Sequence, residues 1–90
     1  MPEDDYIIID DSFVWNNPDE NAIEINGAFN ATIMIYGGEF NLNDGQYIID
    51  ANPGGIVAYI CGPITVNGVE LNSAADWAPY FNNCLASRMY

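Results

Sequence analysis

The chain has 90 residues, half of them hydrophobic, with thirteen Asp and Glu against one Arg, no Lys and no His, for a formal net charge of −12 at pH 7. A surface this poor in cations cannot neutralise phosphates, which excludes direct binding to DNA, RNA or anionic membranes. Without His or Lys there is no Ser–His–Asp, Cys–His or Ser–Lys catalysis and little basis for zinc, so a non-enzymatic protein without cofactor or metal is expected.

The first twenty residues hold seven of the thirteen acids, with Tyr6-Ile7-Ile8-Ile9 and Phe13-Val14-Trp15 between them. They read as an acidic N-terminal arm (1–20) with an edge strand at Ile7 to Ile9 and a turn at Asn16-Asn17-Pro18-Asp19. MPEDDY lacks the basic start of a signal peptide. No run reaches the roughly 18 apolar residues of a membrane span. The compartment stays open, with virion or host cytoplasm expected for a viral protein.

A β-rich core (21–72) follows. Ile23-Glu24-Ile25 alternates and Asn26-Gly27 turns; Phe29 to Tyr36 is a strand, broken at Gly37-Gly38. Phe40 and Leu42 alternate with polar neighbours, Asp44-Gly45 turns, Tyr47-Ile48-Ile49 returns, and Asn52-Pro53-Gly54-Gly55 loops. Ile56 to Ile60 reads as a central strand buried on both faces. Ile64-Thr65-Val66 and Val69-Glu70-Leu71 flank Asn67-Gly68, the strongest hairpin signal in the chain, because a type I′ turn needs positive φ twice. Asn26-Gly27 and Asp44-Gly45 are weaker hairpin signals.

The period then changes. Trp77, Tyr80, Phe81, Cys84, Leu85 and Arg88 share one face at helical spacing, Asp76 can cap, and Pro79 fits a first turn. A C-terminal amphipathic helix over 76–88 is expected, with Arg88 favourably placed at its end. The fold class is therefore α+β: one domain (1–90), a mostly antiparallel sheet of about six or seven short strands, and this helix packed on it. IEING at 23–27 echoes ITVNG at 64–68. Short strands with Gly-rich turns also suit a sandwich or a β-solenoid fragment, although one echo is no repeat.

Specific chemistry is thin. Asp10-Asp11 and Asp19-Glu20 lie in polar flanks where burial does not tune a carboxylate. An EF-hand with Gly45 at its sixth position would put Phe40 and Leu42 at ligand positions, so at most Asn43, Asp44 and Asp50 offer an irregular calcium site. Asn30-Ala31-Thr32 is a glycosylation sequon, expected by chance among twelve Asn. Cys61 and Cys84 read as small buried hydrophobes, with a disulfide the alternative.

What remains is protein–protein contact. Aromatic anchors that a thin core leaves exposed are expected among Tyr6, Trp15, Tyr36, Tyr59 and Tyr90. The expected partner is a protein, with a basic surface or as further copies of this chain. Asp4, Asp5, Asp10, Asp11, Asp19 and Glu20, with Trp15 and Tyr6, are the candidate contact residues. Two functions fit: a small structural or assembly subunit, such as a virion decoration or appendage protein, and an inhibitor that imitates nucleic-acid charge to block a DNA- or RNA-binding enzyme, as in the anti-restriction or anti-CRISPR class.

Overall fold

The computed structural model describes residues 5–17, 19–27, 31–52 and 56–89. The first coil consists of β1 (Asp5–Ile9), β2 (Val14–Trp15) and β3 (Ile23–Asn26). The second repeats it with β4 (Ala31–Ile35), β5 (Glu39–Phe40) and β6 (Ile49–Asn52). The third runs through β7 (Ile56–Ile60) and β8 (Ile64–Val66), then β9 (Val69–Leu71), helix α1 (Ala74–Trp77), a 3-10 turn (Ala78–Tyr80) and β10 (Phe81–Asn82). β11 (Cys84–Arg88) closes the chain's described strands.

Equivalent strands stack into three sheets, in the orders β1-β4-β7-β11 (sheet I), β2-β5-β8-β9 (sheet II) and β3-β6-β10 (sheet III). The first two coils return after 25 or 26 residues: Asp5 stands opposite Ala31, Ile33 opposite Ala58, Val14 opposite Glu39, and Ile23 opposite Ile49. The third coil takes longer to reach sheet III, from Ile49 to Phe81, because β9 and α1 are inserted there. The architecture is a parallel β-solenoid of three coils with a closing strand.

This corrects the expected α+β, mostly antiparallel sheet. All described pairings are parallel except β8 with β9. The Asn67-Gly68 hairpin is present, with φ of 52° and 82° as a type I′ turn requires. Asn26-Gly27 and Asp44-Gly45 form no hairpins. Gly27 (φ 95°) and Gly45 (φ 84°) turn the chain toward the next sheet of the solenoid rather than back beside the strand just left.

The expected helix over 76–88 is also corrected. Helical structure covers only 74–80, and Ser73 rather than Asp76 is the cap, its side chain accepting from the Asp76 N–H. Phe81 is already extended, and Asn83 at φ 56° turns the chain into β11. Arg88 therefore ends a strand, opposite Ile60 of β7, and not a helix. The pull of β7's free edge outweighs the local preference of a segment too short to be a stable helix alone.

The interior is built of apolar columns that run from coil to coil. Ile7, Ile33, Ala58 and Ala86 form one on sheet I, and Ile9, Ile35 and Ile60 form the next. Trp15, Phe40 and Val66 line sheet II, and Ile23, Ile49 and Phe81 line sheet III. Each large side chain here contributes about 1.5–3 kcal/mol by burial. Trp77 of α1 is fully buried in this core, and its Nε1–H finds no acceptor among the described residues. The apolar burial of the indole must offset that loss, about 1–3 kcal/mol.

Backbone bonds lock the corner between sheets I and II. The N–H groups of Tyr36, Cys61 and Met89 donate to the carbonyls of Ile9, Ile35 and Ile60, one coil away in each case, at 2.7–2.8 Å. Side-chain amides lock the other corners. Asn82 and Asn21 donate to the two carboxylate oxygens of Asp50 at 2.8 and 3.3 Å, and Asn83 donates to the Ala51 carbonyl at 3.0 Å. The abundance of Asn thus finds a structural use: an amide can donate and accept between stacked coils.

Candidate functional site

The strands of sheet I are apolar on both faces. Alternation sends Ile7, Ile9, Ile33 and Ile35 inward, so their neighbours must point out. Ile8, Met34, Tyr59 and Ser87 lie in register as one outward column across all four strands. Beside it stand Tyr6 with Thr32 and Val57 with Leu85. Tyr6 is 61% exposed, Ile8 62% and Leu85 66%. None of these eight side chains is charged. Tyr36, at the corner, and Met89, just past β11, add exposed apolar surface to the rim.

Apart from Asp5, at the start of β1, the described acids lie elsewhere. Glu39 is on β5 of sheet II, Glu24 and Asp50 stand in register on sheet III, and Glu70 is on β9. Asp10 and Asp11 sit at the corner that follows β1. Ser12 donates to Asp10 from its hydroxyl (2.6 Å) and its N–H (2.9 Å), which holds that carboxyl below the usual carboxylate range. Asp19 and Glu20 belong to the next corner, between β2 and β3. Asn43 donates to Asp19 at 2.8 Å, and Asn17 donates to Glu20 at 2.9 Å.

The candidate contact residues therefore separate into groups. Trp15 and Glu20 meet, the indole N–H donating to the Glu20 carbonyl at 3.3 Å, but Trp15 packs against the core. Asp10 and Asp11 are on the far side of β2 from Asp19 and Glu20. Tyr6 belongs to the uncharged face of sheet I. Asp5 stands at the start of β1; Asp4 lies outside the described residues, as do Tyr90 and the sequon's Asn30. Sequence reasoning picked out Tyr6, Tyr36 and Tyr59 as candidate exposed aromatics. It missed Ile8, Met34, Val57 and Leu85, which look like core residues in sequence.

The remaining chemical candidates are dispersed. Asn43 is bonded to Asp19, and Asp50 to Asn21 and Asn82, so the suggested Asn43, Asp44 and Asp50 grouping is not what these side chains form. No cluster of three or more His, Cys, Asp or Glu suited to a metal ion occurs among the described residues, and no pocket is found among them.

Both cysteines are free. Cys84 stands opposite Ile56, while Cys61 lies five residues further along β7's path, about 16 Å away at 3.3 Å per residue and well beyond disulfide reach. Burial pushes the Cys84 thiol above its ordinary range, against a smaller opposing pull from a hydrogen bond with the Ala58 backbone. The folded protein therefore keeps this proton to higher pH than the unfolded chain, and the contribution to stability is lost as pH rises past the thiol range. Iodoacetamide at pH 8 is expected to label Cys84 about tenfold more slowly in the folded protein than in urea, by mass spectrometry. Equal rates would contradict its placement on β11.

No protein-family model matches the chain, and the searches of curated proteins and of solved structures also give no match.

Proposed function

We propose that this protein is a non-enzymatic structural module that works by contact with other protein: an assembly subunit. The observation that carries this reading is the outer face of sheet I, a four-stranded parallel sheet that presents tyrosines, aliphatic side chains and methionine without one charge. Parallel sheets are ordinarily covered on both faces, and an exposed apolar surface of this kind on an anionic protein is the usual mark of a contact site. A small decoration or appendage protein is one form such a subunit takes. Imitation of nucleic acid rests on net charge alone, since the corner acids named above stand on two different corners rather than in one row.

The test is sedimentation of tagged chain in extracts of the cells that make it. With the cells cross-linked before extraction, wild-type protein is expected at twice its own 9.9 kDa or more, and Leu85→Glu is expected to move toward the free chain. Wild-type protein that sediments only as a free chain would overturn the assembly reading.

A further inference from the structure

We infer that the partner on this face is a second copy of the chain, seated face to face on sheet I across a two-fold axis. The inference deepens the assembly reading and rests on it.

Charge distribution argues for it. A chain with a net charge of −12 repels its copies along most approaches. Approach along sheet I is different, because Ile8, Met34, Tyr59 and Leu85 carry no charge, and the described carboxylates on β1's path, Asp5 and Asp10, stand only at its two ends. A strongly basic partner would be drawn instead to the acidic corners and to sheets II and III. The face also suits itself in chemistry. Two sheets stack about 10 Å apart, and an isologous contact needs only one self-complementary patch. The hydroxyls of Tyr59 and Ser87, adjacent in the outward column, offer both a donor and an acceptor to the same groups across the axis.

Area sets the strength. Four strands about 4.8 Å apart and five residues long at about 3.3 Å per residue give about 300 Å² in plan per copy. A pair then buries about 600 Å², or somewhat more with Tyr36 and Met89 at the rim. This is below the roughly 1,200 Å² of a stable complex, so the pair is weak. Salt should tighten it, by screening the repulsion between copies while leaving the apolar contact intact.

The experiment is analytical ultracentrifugation of the purified full chain from about 10 µM to 1 mM, in 0.15 M and 1 M NaCl. The expected result is a mass that rises with concentration from 9.9 kDa to twice that value and no further, at lower concentration in high salt. Ile8→Glu and Leu85→Glu should each weaken pairing at least tenfold while circular dichroism and melting stay close to wild type, because both side chains already face solvent. A single-chain mass at 1 mM in both salts overturns the inference. So does pairing that both folded variants keep, which would place the contact on another face, or a mass that climbs past two copies. If the purified chain stays single but sediments in a complex in its own cells, self-pairing falls and the assembly reading stands. If it stays single in both, both fall.

Discussion

Gly62→Ala is expected to lower the melting temperature by about 12–24 °C. Gly62 follows Cys61 at the corner that leaves β7, where the coil lies directly on the one before it. A Cβ at this position would sit 2.6 Å from the Tyr36 carbonyl oxygen, closer than such atoms approach in real structures. That carbonyl cannot give way cheaply, because the Tyr36 N–H is tied to Ile9 and the Cys61 N–H to Ile35. Relief requires the coils to separate at a corner whose backbone bonds set their spacing. Such overpacking costs about 3 kcal/mol, and each kcal/mol moves the melting point of a domain this size by about 4–8 °C. Gly45→Ala is the control. Its Cβ would meet nothing within 4 Å, and the cost there is the positive φ of 84° alone, about 1–2 kcal/mol. Equal melting shifts for the two variants would show that the corner yields and that the coil contact is not tight.

Asn67→Ala is expected to cost about 3 kcal/mol in urea denaturation, and Asn67→Gly about half of that. Asn67 does two things. Its backbone holds φ at 52° in the β8–β9 turn. Its side chain also reaches back one coil and pairs with both polar groups of Leu42, accepting from the N–H at 2.8 Å and donating to the carbonyl at 2.9 Å. Alanine loses both bonds, at about 0.5–1.5 kcal/mol each, and adds the left-handed backbone cost. Glycine loses the bonds but accepts the backbone. An alanine variant as stable as the glycine variant would mean that the turn conformation contributes nothing.

The same residue shows which parts of this fold were legible in sequence. Asn67-Gly68 specifies its hairpin locally, through positive φ at two successive positions, and the turn forms where expected. Gly27 and Gly45 bend the chain where their positive φ allows it, but the hairpins expected there do not form. A turn residue fixes where the chain bends, however, and not which strand the next segment will lie beside. The 25- or 26-residue period was present in Ile9, Ile35 and Ile60, and in Ile33 and Ala58, but two- to five-residue strands supply too few side chains to make it conspicuous. The echo that did stand out is no repeat, as expected. IEING lies on sheet III and ITVNG on sheets II and its turn, so the two are not equivalent positions.

The C-terminal segment failed for a related reason. Trp77, Tyr80, Phe81, Cys84 and Leu85 do fall at helical spacing. In the fold, Trp77 and Phe81 are interior, whereas Leu85 faces outward and is 66% exposed. A window of this length fits both periods. The edge of β7, reached across the longer third coil, decides between them, and the αL turn at Asn83 makes the change of direction.

By itself, the sequence determined what is local or additive. It set the net charge and its missing cations, the extended character of runs such as Tyr6 to Ile9 and Ile56 to Ile60, and the bends at the Gly and Asn turns. Only the tertiary structure decided that the strands run parallel, and which face of sheet I is interior. In a strand apolar on both sides, alternation separates two faces without saying which is buried. Ile7 and Ile8 are equally suited to a core. Stacking on strands 25 or 26 residues away sends one inward and leaves the other on the surface, and that placement makes a candidate contact face out of residues that otherwise read as core.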